Sequence, residues 1–363
     1  MRTVAALAVS LIAAVGVATS VASASSGGKT AAFKAAWIYV GPHNDGGWSQ
    51  AHDAGRLYVQ KALGSKVQTT YKENVPEGPQ VAQVIEQLVR DGNKIIFATS
   101  FGYQDAMAAE AKKHPDVMFE QATGTTTSKN LSEYYGAGED GIYLSGIAAG
   151  AASKKGDVGY VVPFAIPEVI RHANAFALGV RTAHPGAKVR LLFTQSWFDP
   201  AKEKKAAESL LAAGADVLGQ NVDSPATGQA AQAAGVPWVG YDSDAKKFAP
   251  RSWLTAAVYD WGPYYLSRVK AAMAGSWKTG FYYGGLKDGF VKLAPFGKGV
   301  DAKTRAMIAT KLKALESGSF FEFSGPLKDQ SGKVKLAAGK KMTVKDLYAM
   351  NWLVQGVIGT VKS

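Results

Sequence analysis

The residues best suited to chemistry in this chain are carboxylates and aromatic rings that follow predicted strands. The first apolar run, at residues 35–40, is followed by Gly41-Pro42-His43-Asn44-Asp45-Gly46-Gly47-Trp48. Asp45 could accept hydrogen bonds from ligand hydroxyl or amino groups, or it could cap the helix that begins after this loop. The indole of Trp48 lies one step into that helix, where a flat ligand could stack on it. The loop thus favours a planar ligand with hydrogen-bond donors.

Similar turns end four later predicted strands. They are Thr99-Ser100-Phe101-Gly102-Tyr103, Gln195-Ser196-Trp197-Phe198-Asp199-Pro200, Asn221-Val222-Asp223-Ser224-Pro225 and Tyr241-Asp242-Ser243-Asp244. Helix caps and turns explain part of this polar content. They do not explain why Phe101 and Trp197 lie in turns instead of a core. We therefore take as candidate ligand contacts Ser100, Phe101, Trp197, Asp223 and Asp242.

The signatures of catalysis are missing from the sequence. The first Gly-rich loop does not have the G-x-G-x-x-G spacing, and neither a complete Walker motif nor a G-x-S-x-G elbow occurs. The absence of cysteine excludes disulfides, thiolate metal sites and cysteine nucleophiles. The five histidines show no metal-ligand spacing. We predict a binding protein without catalytic residues, metal or cofactor.

Composition and charge narrow the class of partner. The hydrophobic content of 47% and the charged content of 19% are typical of a globular protein. The formal charge of +12 invites a nucleic-acid interpretation, but the basic residues are scattered, with only short clusters at 202–205 and 340–341. Scattered lysines indicate solvated helix faces, so we expect no nucleic acid as a partner.

The amino terminus predicts export. Met1-Arg2-Thr3 supplies a positive charge, residues 4–21 are mostly apolar or small, and Ala22-Ser23-Ala24 provides a cleavage signature. A transmembrane anchor is disfavoured because small and polar residues interrupt the run. We expect residues 1–24 to be a cleaved signal peptide. Without a cysteine for lipid attachment, the mature protein is expected to be a periplasmic monomer.

The elements that would position these turns alternate between strands and helices. Near-continuous apolar strands with helices between them predict an α/β fold with parallel sheets covered on both faces. A chain of 363 residues exceeds the size at which single cores stop growing, so two lobes are expected. We assign 30–138 plus about 261–318 to lobe 1, and 139–260 plus about 319–363 to lobe 2. Chain segments that cross between the lobes would form a hinge, with ligands at the carboxyl ends of the strands.

Three expectations concern the last third of the chain. Residues 279–293 are predicted to form one strand or hairpin. Residues 320–323 are predicted to pair with residues 333–336, and residues 344–357 to form the last helix.

Several segments resemble the basic membrane protein family of solute-binding proteins, in order across nearly the whole chain after the signal peptide. They are Gly141-Ile142-Tyr143-Leu144-Ser145-Gly146, Val158-Gly159-Tyr160-Val161, Asn174-Ala175-Phe176-Ala177-Leu178-Gly179, Ser196-Trp197-Phe198-Asp199-Pro200-Ala201-Lys202, Gly214-Ala215-Asp216-Val217 and Val239-Gly240-Tyr241-Asp242-Ser243-Asp244. The resemblance implies a type I periplasmic-binding-protein fold, which consists of two Rossmann-like lobes joined by a hinge. It also implies purine nucleosides as common ligands and an ABC permease in the inner membrane as partner.

The resemblance also implies roles for individual residues. By position, Trp48 and Trp197 would sandwich the base. The further contacts to base or ribose would come from Asp45, Asp242, Asp244 and Lys287. This sequence has tryptophan where the family usually has phenylalanine at both stacking positions. The segments at 221–225 and 260–265 resemble a subgroup suited to a free base such as adenine, whereas Asp242 would suit ribose hydroxyls. The resemblance therefore leaves open whether the ligand is a base or a nucleoside.

Three alternatives remain beside a purine-binding protein. The same fold could bind a sugar, an autoinducer or another small solute. Repressor-type sensors also use this fold, but they lack a signal peptide and carry a DNA-binding module. A periplasmic nucleoside hydrolase would need a metal held by aspartates, for which Asp242 and Asp244 are the faint candidates.

Overall fold

Two mostly parallel sheets with helices on their faces organise residues 31–361, which the computed structural model describes. The predicted signal peptide at 1–24 lies outside these residues. In the described range no helix has the length and apolarity needed to cross a membrane.

The strands and helices follow each other along the chain much as predicted. The strands are β1 (Phe33–Ile38), β2 (Val67–Lys72), β3 (Ile95–Ala98), β4 (Met118–Ala122), β5 (Leu131–Gly136), β6 (Asp157–Val162), β7 (Lys188–Phe193), β8 (Val217–Gln220), β9 (Trp238–Asp242), β10 (Trp253–Tyr259), β11 (Phe281–Gly284), β12 (Val291–Leu293), β13 (Leu327–Lys328), β14 (Val334–Leu336) and β15 (Val357–Ile358). The helices are α1 (Trp48–Leu63), α2 (Gln80–Arg90), α3 (Gln104–Lys113), α4 (Gly138–Ala152), α5 (Pro167–Ala183), α6 (Pro200–Ala212), α7 (Ala226–Ala234), α8 (Trp261–Met273), α9 (Ala302–Glu316) and α10 (Val344–Tyr348).

Each sheet is built around central strands whose side chains are buried on both faces. The first sheet has the order β11-β5-β4-β3-β1-β2, and all of its pairs are parallel. The second has the order β12-β10-β9-β8-β6-β7-β15, and only its β10–β12 pair is antiparallel. Trp37 and Phe97 are register partners on β1 and β3, and their rings stack 4.7 Å apart. Apolar strands of this kind need helices on both faces, which α1 to α9 supply.

The chain crosses between the two sheets three times. It leaves the first sheet after β5, returns between β10 and α8, and leaves again between β11 and β12. Helix α8 packs on α1 of the first lobe, whereas β12 pairs with β10 and α9 packs on α4. The predicted return of residues 261–318 to lobe 1 is therefore wrong for residues 291–316, which lie against the second sheet. The predicted strand or hairpin at 279–293 is wrong as well, because β11 joins the first sheet and β12 the second.

Two predictions for the carboxyl-terminal part also need correction. Strand β14 pairs with β13, not with residues 320–323, which precede the turn at Gly325-Pro326. The last helix, α10, ends at Tyr348 instead of continuing to 357. The Asn174 side chain donates to the carbonyl of Trp352 and accepts from the amide of Val354. These tertiary hydrogen bonds hold the segment in a non-helical course, so that β15 can pair with β7.

Candidate ligand-binding site

A cavity lies where the carboxyl ends of strands from both sheets face each other. About 360 Å³ of atom-free space lies among the lining residues, part of it open to solvent. The first lobe contributes Val40, Trp48, Ser100, Phe101 and Thr123, and the second lobe contributes Glu168, Trp197, Asn221, Asp223, Tyr241 and Asp242. A ligand in this cavity would contact both lobes.

Trp48 forms a rigid wall of the cavity. It is the first residue of α1, and its indole nitrogen donates to the carbonyl of Thr99 at 2.5 Å. The rings of His52, Tyr259 and Trp261 meet it edge-on, with centroid distances of 4.4, 6.0 and 5.4 Å. Because these contacts fix the ring before a ligand arrives, stacking on it costs little conformational entropy.

Trp197 lies on the wall contributed by the second lobe. It is half-buried and packs edge-on against Phe164, with centroids 5.2 Å apart. Its indole nitrogen is buried without a hydrogen-bond partner among residues 31–361. The carbonyl of Trp197 accepts from the amide of Asp223 at 3.1 Å, which ties the two strand-end turns together. A ligand acceptor beside Trp197 could satisfy its N–H.

Asp223 and Asp242 supply buried carboxylate oxygens that the protein itself does not satisfy. Both oxygens of Asp242 and Oδ2 of Asp223 have no hydrogen-bond partner within the described part of the chain. Burial raises the pKa of both groups, and the nearby Asp45 carboxylate raises each further. Asp242 also has a φ of 63°, a conformation uncommon for non-glycine residues and frequent at functional sites.

Asp45 serves as a helix cap and does not line the cavity. Its carboxylate accepts from the amides of Gly47, Ser49 and Gln50 at 2.8, 2.8 and 2.9 Å. These bonds satisfy the free N–H groups of the first turn of α1. Of the two roles considered for Asp45, the structure shows the cap, and any effect on a ligand would be electrostatic.

Lys287 and Asp244 are also placed away from the cavity. Lys287 is exposed in the turn between β11 and β12, where the neighbouring Leu286 points inward and is buried. Asp244 is exposed, and its carboxylate accepts from the amide of Lys246 at 3.2 Å. Asp244 therefore does not line the cavity with Asp242, and neither aspartate belongs to a cluster of three or more possible metal ligands among residues 31–361.

The structure brings the remaining predicted contacts together at the cavity: Trp48, Ser100, Phe101, Trp197, Asp223 and Asp242. It adds residues that the sequence analysis had not selected, among them Thr123 and Glu168. Thr123 follows β4 directly, and Glu168 is the second residue of α5, the helix that follows β6. Applying the rule of strand carboxyl ends to β4 and β6 would have found both.

The two lobes touch each other around the cavity. Ser243 Oγ donates to the carbonyl of Gly46 at 2.5 Å, and the Tyr135 hydroxyl donates to Glu168 at 2.8 Å. A Cβ atom at Gly47 would overlap the carbonyl oxygen of Asp223. The structure is thus a closed arrangement in which glycine is needed for the lobes to approach.

Comparison with known proteins agrees with this architecture. Residues 32–319 match the sequence profile of the family described as ABC transporter substrate-binding protein PnrA-like. A purine-binding protein of Brucella abortus is 43% identical over 89% of this chain and 92% of its own length. A putative ABC transporter glucose-binding protein of Haloferax volcanii is 37% identical over 76% of this chain and 70% of its own.

A solved structure of an ABC transporter solute-binding protein from Conexibacter woesei superimposes with a TM-score of 0.67 at 26% identity. It covers 80% of this chain and 98% of its own. The type I periplasmic-binding-protein fold and the predicted family resemblance are confirmed. The chain belongs to the PnrA-like family of ABC transporter substrate-binding proteins.

Proposed function

We propose that this protein captures a purine between its two lobes and delivers it to an ABC importer, without catalysing a reaction. The observation that carries the proposal is the lining of the cavity. It contains one tryptophan from each lobe, together with carboxylate oxygens that have no hydrogen-bond partner among the described residues. Two indole rings suit a flat heteroaromatic ring, since base–aromatic stacking contributes about 1–3 kcal/mol per base. The purine-binding relative from Brucella abortus supports the same ligand class.

The polar atoms of the cavity define the ligand's hydrogen-bonding pattern. Three carboxylate oxygens from Asp223 and Asp242 require donors, and the indole N–H of Trp197 requires an acceptor. A purine carries ring or exocyclic N–H donors together with ring-nitrogen acceptors. A free base has a further ring N–H, while a nucleoside replaces it with ribose hydroxyls. Both would satisfy the carboxylates, and a ligand without donors would leave them buried and unpaired.

A sugar is the second candidate, because a relative is named as a glucose-binding protein. Sugars also stack on tryptophan, but they need many polar partners around the ring. This cavity includes Val40, Trp48, Phe101 and Trp197 in its lining, so aromatic and aliphatic contacts account for much of its wall. The purine is therefore the better fit to the cavity.

The remaining parts of the proposal concern where the protein works. We place it in the periplasm after removal of residues 1–24, as a monomer. The closed lobes would present a joint surface to the permease in the inner membrane.

A thermal-shift screen of refolded, ligand-free protein tests the proposal. Purine bases, nucleosides and glucose are added separately, and the rise in Tm is compared. A shift with bases but not nucleosides identifies a nucleobase importer, and a shift with nucleosides gives Asp242 a ribose role. A shift with glucose alone would overturn the purine proposal and leave the transporter family intact.

Trp197→Ala is expected to weaken purine binding by about 5- to 150-fold, which corresponds to the loss of one stacking contact of roughly 1–3 kcal/mol. Isothermal titration calorimetry measures the change. Phe281→Ala is the matched control, because Phe281 is an exposed aromatic residue that does not line the cavity. Near-normal purine affinity in Trp197→Ala would contradict the proposal that the base stacks between Trp48 and Trp197.

Purine affinity is expected to fall as the pH decreases. Ligand N–H donors favour the ionised carboxylates of Asp223 and Asp242, so bound ligand lowers pKa values that burial raises in the free closed site. Binding then releases protons, and affinity is highest above the raised pKa values. It falls by at most tenfold per pH unit for each carboxylate as the pH decreases below those raised values. Titrations between pH 8 and 4 would show this slope, and a flat profile would contradict it.

A further inference from the structure

A cluster of one histidine and two glutamates lies on the first lobe, away from the ligand cavity. Glu86 comes from α2, Glu110 comes from α3, and His114 is the C-cap residue that follows α3. One ligand atom from each side chain lies within 4.8 Å of the other two. None of the three lines the cavity between the lobes, so the mechanism of ligand capture does not use them.

Two of the three distances between the ligand atoms are close to those of a tetrahedral metal site, and the shorter of them is also a hydrogen bond. His114 Nε2 is 3.1 Å from Glu86 Oε1 and 3.5 Å from Glu110 Oε2. Zinc binds histidine nitrogen and carboxylate oxygen at about 2.0–2.2 Å, and the corners of such a tetrahedron are about 3.3–3.6 Å apart. The three side chains could therefore move onto one ion with little rearrangement.

The buried carboxylate of Glu110 also indicates a cation at this position, independently of the distances. The side chain is only 1% exposed, and its Oε2 has no hydrogen-bond partner among the described residues. Its other oxygen accepts from Lys113 Nζ at 2.7 Å. A buried carboxylate oxygen without a partner is costly unless a cation or donor satisfies it. Oε2 faces His114, so a cation between the two would satisfy it.

The basic neighbours do not block the site. Lys113 is 58% exposed and pairs with Glu110, while Arg90 is 64% exposed and lies 3.9 Å from Glu86. The Arg90–Glu86 pair is exposed and contributes little free energy, so Arg90 can move into solvent when a metal binds. Lys113 bonds Oε1 of the buried Glu110 and leaves Oε2 available to a metal.

We propose that Glu86, Glu110 and His114 form a Zn²⁺ site that bridges α2 and α3. The imidazole nitrogen favours zinc over Mg²⁺ and Ca²⁺, which prefer oxygen ligands alone. Three protein ligands leave the fourth tetrahedral position to water. The sequence analysis predicted no metal because the histidines show no metal-ligand spacing, and Glu86 is remote in sequence from Glu110 and His114. The fold supplies the third ligand.

The test is calorimetric titration of the tag-free exported protein with ZnCl₂ after removal of bound metal by a chelator. We expect one Zn²⁺ per chain, with at least tenfold weaker binding in His114→Ala and in Glu110→Gln. His184→Ala is the control, since His184 lies in a loop and belongs to no such cluster within residues 31–361. Purine affinity is expected to stay unchanged in all three variants.

Three results would contradict the zinc site. The first is no saturable uptake of Zn²⁺ by the unmodified protein, and the second is equal affinity in His114→Ala and the unmodified protein. Tighter binding of Mg²⁺ or Ca²⁺ than of Zn²⁺ would also contradict it. Because Glu110 is buried, each variant's metal-free Tm is measured. The partly exposed His114 gives a variant whose loss of zinc cannot be attributed to misfolding if that Tm is unchanged.

Discussion

Replacing Gly47 with alanine is expected to weaken purine binding by about 10²- to 10⁴-fold. In the closed structure a Cβ at this position would overlap the carbonyl oxygen of Asp223 on the opposite lobe. The clash is with backbone, which cannot rotate away as a side chain would. The lobes would stop short of closure, and the ligand would keep the contacts of one lobe only. Losing one stacking contact and the charged hydrogen bonds of the other lobe amounts to roughly 3–6 kcal/mol.

The stability of the ligand-free protein separates this effect from misfolding. The clash arises between lobes, so the open form of Gly47→Ala should unfold at nearly the same temperature as the unmodified protein. Only the rise in Tm caused by ligand should disappear. Gly186→Ala is the matched control, because no atom lies within 4 Å of a Cβ placed there. Unaltered purine affinity in Gly47→Ala would mean that closure does not require this approach.

Much of the candidate site follows from one rule applied to the sequence. Parallel strands end at a common edge, so residues directly after apolar runs were expected to meet, as Trp48, Trp197 and Asp242 do. The rule could not separate Asp45 from these residues, because capping is decided by the backbone of the helix that follows. Lys287 was expected from the family resemblance instead, and the turn that carries it belongs to a crossing between the sheets.

Long-range pairing explains the errors in the fold. A short apolar strand such as β12 gives no local signal of which sheet it will join. Residues 136–141 also have G-x-G-x-x-G spacing after a strand, which the sequence analysis did not select. In the structure, Cβ atoms at Gly136 and Gly138 would meet the ring of Tyr259. These glycines allow close packing at the first crossing, so a dinucleotide-binding role does not follow from the motif.

Asp242→Asn is expected to weaken purine binding by about 10- to 10³-fold. The substitution keeps the shape of the side chain but removes its charge and turns one acceptor into an N–H₂ donor. Ligand N–H groups would then face a donor, and each lost charged hydrogen bond is worth roughly 1.5–3 kcal/mol. The free energy of unfolding of the ligand-free protein should stay equal or increase, because neither Asp242 oxygen has a partner within the described residues.

The pH dependence of binding provides the decisive readout for this variant. If the Asp242 carboxylate accepts from the ligand, Asp242→Asn should weaken binding most at high pH, where the aspartate is ionised, and flatten the slope of affinity against pH. Asp244→Asn is the neighbouring control, since its exposed side chain lies outside the cavity. A loss of affinity with an unchanged pH slope would assign the titration to Asp223 instead, because the pKa of that second buried carboxylate is raised by the same neighbours.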